Sequence, residues 1–129
     1  MAIERNNYEH IGPVVGPYSH AVKHQGTLYV SGITAFGSSA QGQSIDQQAE
    51  FIFTQLAKLA EAEHSSLASL LKVTIFVTHL EGIDQLRQVL FRHYGDHLPA
   101  SSLVQVSSLF SPEVSIEIEA VIAIDKNMI

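Results

Sequence analysis

A chain of 129 residues, of which 46% are hydrophobic and 16% charged, is long enough for one domain (residues 1–129) with a buried core and too apolar to be disordered. The net charge of −6, without any run of basic residues, argues against nucleic acid as a partner. The sequence lacks cysteine, an apolar signal core and a run of membrane length, so we expect no disulfide, no thiolate chemistry and a cytoplasmic protein without a membrane partner.

The N-terminal third of the chain has the pattern of short strands and turns. Gly12-Pro13 and Gly16-Pro17 mark a loop, and Gln25-Gly26 marks a hairpin turn. A glycine inside the third strand, Gly32, indicates a bulge or the close approach of another group. These signals predict strands at residues 3–8, 18–23 and 27–33.

Two amphipathic segments predict helices, each followed by a strand. Ser44 and Gln47 have the spacing of a capping box at the start of the first helix, residues 44–63. Apolar residues at steps of three and four form one stripe there and in the second helix, residues 82–94, which Gly95 ends. A short turn is predicted at 67–70, and strands are predicted at 71–79 and 101–107.

The last predicted strand, residues 114–123, alternates with a period of two, which is typical of a strand with one buried face. Its other face contains Glu117 and Glu119, about 7 Å apart along the strand. Such a face either lies in solvent on an edge strand or lines a pocket.

The order of elements, β-β-β-α-β-α-β-β, predicts an α+β domain in which both helices pack on one face of a mixed sheet. The low content of charged residues also favours a subunit that buries surface in an oligomer.

Five short motifs, in the same order along the chain, resemble those of the RidA family, which is also called YjgF. They are GPYSHA at 16–21, LYVSG at 28–32, QA at 48–49, KVTIFV at 72–77, and PA at 99–100 with IEIEA at 116–120. The resemblance covers most of the chain. It implies a chorismate-mutase-like fold and a homotrimer with a barrel-like centre, in which small-molecule clefts lie between neighbouring subunits.

In the best-known members of that family, the cleft hydrolyses 2-imino acids to 2-oxo acids and ammonia. The resemblance implies that Glu117 orients or deprotonates the attacking water. Glu119 is the alternative, because the turn before this strand is one residue longer than in many relatives. Tyr18, Ser31 and Gly32 are implied to line the cleft around a small-molecule metabolite, without any cofactor.

The chain departs from the family at the residue that binds the substrate carboxylate. The family's deaminases have Pro-Ala-Arg-Ser, whereas this chain has Ser101 and Ser102 after Pro99 and Ala100. A serine has neither the charge nor the bidentate geometry of arginine, so activity on ordinary 2-imino acids should fall by orders of magnitude. In one hypothesis Arg87, on the second helix, partly replaces the charge in the cleft; in the other it is a solvent-exposed helix residue.

Two functions therefore stay open. The chain is either an imine or enamine hydrolase with altered specificity, as Glu117 and Tyr18 suggest, or a trimer that binds a small metabolite without converting it, as Ser101 suggests. RNA cleavage or translation inhibition, which is also attached to the family, is disfavoured by the negative net charge. We expect no metal site, because the second helix is predicted to end between His93 and His97.

Overall fold

The computed structural model describes residues 2–124, which form a six-stranded sheet and two helices. The elements are β1 (Glu4–Asn6), β2 (Ala21–His24), β3 (Thr27–Ile33), α1 (Ile45–Ala62), β4 (Leu70–Val77), α2 (Ile83–Tyr94), β5 (Ala100–Gln105) and β6 (Ile116–Ala123). Short 3₁₀ turns lie at Glu9–Ile11 and Leu67–Ser69. This order confirms the predicted β-β-β-α-β-α-β-β succession. Both ends of the predicted domain, Met1 and residues 125–129, lie outside the described residues.

The last strand in the chain occupies the middle of the sheet, whose order is β1-β2-β3-β6-β4-β5. β1, β2 and β3 form an antiparallel meander, and β6 runs antiparallel to both β3 and β4. β4 and β5 are parallel, which makes the sheet mixed. The prediction of two helices packed on a mixed sheet is confirmed.

One face of the sheet is buried under the helices. In β6 the buried residues are Ile116, Ile118, Ala120 and Ile122, which confirms the alternation seen in the sequence. They pack with α1 residues such as Ile52 and Leu56 in a single hydrophobic core. Because burying one such side chain is worth about 1.5–3 kcal/mol, the face that β6 presents to the helices is fixed.

The opposite face of the sheet, here called the open face, is covered by neither helix. The strand register places Phe76 beside Glu117 and Tyr29 beside Val121 on this face, with Val104 towards the β5 edge. Tyr29 and Val104 are 49% and 43% exposed. The face therefore combines accessible apolar side chains with the two glutamates of β6.

The strands predicted at 3–8, 71–79 and 101–107 each end two residues earlier than predicted. The predicted starts of two other strands are wrong because local turns use the backbone groups. The strand predicted from residue 18 begins at Ala21, since the Tyr18 N–H donates to the Gly16 carbonyl at 2.9 Å. The strand predicted from residue 114 begins at Ile116, since the Val114 N–H donates to the Ser111 carbonyl at 3.2 Å.

The capping box predicted at the start of α1 does not form, although the helix begins after Ser44 as predicted. The Ser44 hydroxyl donates to Gln47 Oε1 at 3.2 Å and accepts no backbone N–H. The Gln48 side chain connects α1 to the loop that precedes the helix and to the residue that precedes β6. Its Nε2 donates to the Gln43 carbonyl at 2.8 Å, and its Oε1 accepts the Ser115 N–H at 2.9 Å. This buried amide thus fixes the chain just before β6.

Candidate functional site

A cleft of about 790 Å³ opens where the loop before β2, the end of β3 and the start of β6 meet. Four residues singled out from the sequence line it: Tyr18, Ser31, Gly32 and Glu117. Tyr18 and Glu117 come from other segments of the chain than Ser31 and Gly32, and the pairing of β2 with β3 and of β3 with β6 brings these segments together. The sheet register therefore builds the cleft.

Glu117 lies directly against Gly32, where the pairing of β3 with β6 is irregular. A Cβ atom added at Gly32 would be 2.7 Å from the Glu117 Cδ and would also overlap its Oε2. Real side chains do not make such contacts, so the Glu117 carboxyl group can occupy its position only beside a glycine. The glycine predicted to permit a close approach does so towards Glu117.

The Glu117 carboxylate is partly buried and lacks a hydrogen-bond or ion-pair partner among residues 2–124. Burial raises the pKa of the Glu117 carboxyl, and the negative charge of Glu119 raises it further. Glu119 is exposed on the same face of β6. Glu117 is thus the less hydrated of the two, and its raised pKa makes its carboxylate a better proton acceptor than an ordinary glutamate.

Ser31 and Tyr18 are held at the cleft by the loop that precedes β2. The Ser31 hydroxyl donates to the Ser19 carbonyl at 2.7 Å, so its oxygen lone pairs are the part left for a ligand. The Tyr18 ring packs on Gly16, where an added Cβ atom would be 3.2 Å from its Cε2. Tyr18 is 46% exposed and offers the cleft both an apolar ring and a hydroxyl group.

His20 also lines the cleft, although no sequence motif marks it as a site residue. Its Nδ1 accepts the Tyr8 N–H at 2.8 Å, which places the proton of the neutral ring on Nε2. Burial lowers the pKa of His20, and the nearby His10 lowers it further. His20 is therefore a neutral hydrogen-bond donor. This neutral, donating state follows only from the contact with Tyr8, because the residues next to His20 in the sequence do not indicate it.

Two phenylalanines at the rim of the cleft were also missed. Phe36 and Phe110 pack edge to face, with ring centroids 4.9 Å apart, although they are 55% and 65% exposed. Gln41 Nε2 donates to Glu113 Oε1 at 2.9 Å and joins the two loops that hold these rings. The rim is therefore apolar and fixed by contacts between loops that are far apart in sequence.

The other three predicted site residues lie outside this cleft in the same chain. Ser101 and Ser102 are exposed on β5, at the edge of the sheet, where Ser102 Oγ is 3.4 Å from Lys72 Nζ. Arg87 pairs with Asp84 on its own helix, with 3.5 Å between Nη1 and Oδ1, and its side chain is 63% exposed. This position matches the solvent-exposed alternative for Arg87.

Residues 2–124 contain no cluster of three histidine, aspartate or glutamate side chains that could hold a metal ion. His93 instead hydrogen-bonds to Glu50 and stacks on Phe53, and so links α2 to α1. None of the helices described is long and apolar enough to cross a membrane.

Comparisons with known proteins agree on one family for this chain. A family model described as Endoribonuclease L-PSP matches residues 10–124. The chain is 35% identical over 118 residues to Protein MMF1, mitochondrial, of Saccharomyces cerevisiae, and the match covers 89% of this chain and 79% of that protein.

Two further comparisons agree with this match. One is with a relative whose activity is named, and the other is with a solved structure. The 2-iminobutanoate/2-iminopropanoate deaminase of Dermatophagoides farinae is 27% identical over 114 residues, which cover 86% of this chain and 88% of that protein. The crystal structure of RidA from an Antarctic Psychrobacter species superposes with a TM-score of 0.78 at 30% identity, covering 87% of this chain and 92% of that one.

Proposed function

Because this chain belongs to the Endoribonuclease L-PSP family, which includes the RidA and YjgF proteins, we propose that it is a hydrolytic deaminase of an imine or enamine metabolite. The observation that supports this most is the Glu117 carboxylate, which lies against Gly32 in the cleft and has no partner among residues 2–124. A carboxylate with free lone pairs and a raised pKa suits a general base.

In the proposed reaction, Glu117 accepts a proton from a water molecule whose oxygen attacks the carbon of the C=N bond. Glu117 passes this proton to the imine nitrogen, which gives a tetrahedral intermediate with a hydroxyl and an amino group on one carbon. Glu117 then takes the proton of that hydroxyl group as its C–O bond becomes C=O, and transfers it to the departing nitrogen, so one water is consumed and one ammonia is released. Tyr18, Ser31 and Gly32 contact and orient the substrate.

The specificity of this deaminase differs from that of the 2-imino acid deaminases, because Ser101 occupies the position of their carboxylate-binding arginine. We propose a homotrimer, as in the family, in which Ser101 and Ser102 reach the cleft of a neighbouring subunit while Arg87 stays paired with Asp84 outside it. The exposed apolar residues Tyr29 and Val104 support the proposal, since burying an apolar face favours association. Sedimentation of the purified protein should give the mass of three chains.

The second candidate function is a trimer that binds a small metabolite without hydrolysing it. The replacement of arginine by Ser101 favours it, since a cleft that cannot anchor a substrate carboxylate loses much of its rate on 2-imino acids. For either function we propose a cytoplasmic location and no nucleic-acid partner, in keeping with the net charge of −6.

Ammonia release from freshly generated imines separates the two functions. An amino acid oxidase would generate 2-iminopropanoate and 2-iminobutanoate, and uncharged imines would be prepared beside them. We expect Ser101→Arg to increase the hydrolysis of the 2-imino acids at least about tenfold, the effect of about 1.4 kcal/mol in transition-state binding. Ser108→Arg adds the same charge on an exposed loop and should have no effect.

If the protein accelerates the hydrolysis of no imine or enamine, even with Ser101→Arg, but still binds 2-oxo acids, the metabolite-binding function replaces the enzyme. If the unmodified protein matches an arginine-containing relative on 2-iminopropanoate, the proposed change in specificity is wrong.

A further inference from the structure

Gln55 lines the cleft from α1 and is only 9% exposed. Its Oε1 is buried without a hydrogen-bond partner, and no residue among 2–124 bonds to its Nε2. Gln48, on the same helix, is fully buried and uses both atoms of its amide, one with Gln43 and one with Ser115. The Gln48 carboxamide, which supports the fold, is therefore hydrogen-bonded at both its nitrogen and its oxygen. The Gln55 carboxamide beside the cleft has no partner among residues 2–124.

The unpaired Gln55 Oε1 costs folding stability, because this buried oxygen has lost its hydrogen bonds to water without a replacement. The surroundings of Gln55 hold it in place all the same. His10 Nε2 lies 3.4 Å from the Gln55 backbone carbonyl, so the turn at Glu9–Ile11 packs against α1 at this point. Phe51, one helical turn earlier, lines the same cleft.

We propose that Gln55 is a specificity-determining residue that binds an uncharged polar group on the substrate. This inference rests on the proposed imine or enamine hydrolase. A carboxamide exchanges its donor and acceptor when it rotates by 180°, so it fits a group that is both donor and acceptor, such as an amide or a hydroxyl. The substrate class is then an imine or enamine whose substituent ends in such a group.

The charges in the cleft favour an uncharged group over a carboxylate at this position. Glu9 and Glu117 both line the cleft, and its described lining contains neither lysine nor arginine. A second carboxylate on the ligand would meet negative charge and no cation. A ligand amide oxygen instead accepts from the Gln55 Nε2, which has no partner among residues 2–124.

Gln55→Leu tests this through stability and binding together. We expect its melting temperature to equal or exceed that of the unmodified protein, since leucine fills similar space without an unpaired polar group. Gln48→Leu should lower it, because it leaves Gln43 and Ser115 unpaired. Gln88→Leu, exposed on α2, is the control and should change neither stability nor binding.

The binding probes are two unreactive, uncharged ketones of nearly equal shape, 3-oxobutanamide and 4-methylpentan-2-one. They differ only in a terminal amide against a terminal isopropyl group. The unmodified protein should bind the amide about tenfold more tightly, and Gln55→Leu should remove this preference. Gln55→Met serves as a second apolar variant in case the leucine side chain does not fit.

The two proposals fail in different ways. An equal affinity for both probes in the unmodified protein, or an amide preference that survives both Gln55 variants, overturns the role of Gln55 whether or not imines are hydrolysed. An amide preference that depends on Gln55, in a protein that releases no ammonia from any imine, supports Gln55 and overturns the hydrolase.

Discussion

Two partly buried glutamates, Glu63 and Glu117, differ in the hydrogen-bond partners of their carboxylates. Glu63, which follows α1, accepts hydrogen bonds from Lys23 Nζ at 2.8 Å, Tyr8 Oη at 2.6 Å and Asn6 Nδ2 at 3.0 Å. Lys23 Nζ also lies 3.2 Å from Glu4 Oε2. Glu117 has no such partner among residues 2–124.

The pKa values of the two carboxyl groups follow from these contacts. Burial acts to raise the pKa of Glu63, but the hydrogen bonds from Lys23 and Tyr8 outweigh it and lower that pKa. Burial and the charge of Glu119 both raise the pKa of Glu117. The satisfied group ties β1 and β2 to the end of α1 and is structural, whereas the unsatisfied one can bind and release a proton. Three variants and the pH dependence of stability test whether Glu63 is structural and Glu117 is reactive.

Glu117→Gln should have the largest effect on activity. The amide cannot accept the proton of the attacking water, so we expect the release of ammonia to fall by about 10²–10⁴-fold. Thermal unfolding should show no loss of stability, since no hydrogen bond is removed. The matched variant Glu119→Gln should retain activity; if it is Glu119→Gln that abolishes the reaction, the two glutamates exchange roles.

Gly32→Ala should have the next largest effect. The new methyl group would displace the Glu117 carboxyl group by an ångström or more, and a displacement of that size costs about 10²-fold in rate. The loss should be absent when Glu117→Gln is already present, because the two changes act on the same group. Equal losses from Gly32→Ala in both backgrounds would contradict the contact.

Glu63→Gln should affect stability and leave the reaction unchanged. The loss of charged hydrogen bonds to Lys23 and Tyr8 should reduce the free energy of unfolding by about 1–3 kcal/mol, measured in urea. Glu61→Gln, exposed on the same helix, is the control and should change it little. A decrease in activity at saturating substrate without any loss of stability would show that Glu63 is not purely structural.

The pH dependence of stability should have opposite signs for the two glutamates, and this effect is the smallest of the four. Because its pKa is lowered in the folded state, Glu63 stabilises the fold near neutral pH, and this contribution disappears as pH falls below the usual glutamate value of about 4.3. Because its pKa is raised, Glu117 stabilises the fold only at low pH, and this contribution disappears as pH rises through the raised value.

Comparing each glutamine variant with the unmodified protein between about pH 3 and 7 checks this prediction. Rising pH should increase the advantage of the unmodified protein over Glu63→Gln and decrease its advantage over Glu117→Gln. Slopes of the same sign would contradict the contrast between the two sites.

The parts of the fold that could be predicted from sequence depend on local patterns. The period of two in β6 and the apolar stripes of α1 and α2 report which side of an element is buried. Turn chemistry at the ends of strands was harder, because the bonds of Tyr18 to Gly16 and of Val114 to Ser111 compete with strand extension. Ser44 shows the same limit, since its hydroxyl had a side-chain partner nearby in Gln47.

The site was only partly predictable because its atoms meet through long-range pairing. Glu117 and Gly32 were found through motifs and an alternating pattern, but their contact depends on how β3 pairs with β6. His20 and Gln55 have no local signal. Their roles follow from which partner each has or lacks, Tyr8 for His20 and none among residues 2–124 for the Gln55 amide.

The central position of β6 also constrains how the chain folds during its synthesis. The meander of β1, β2 and β3 and the parallel pair β4 and β5 share no ladder until residues 116–123 are inserted between them. The inner edges of both parts, β3 and β4, therefore stay unpaired until residues 116–123 have left the ribosome. Exposed strand edges promote aggregation, so the nascent chain is most vulnerable in the interval just before β6 emerges.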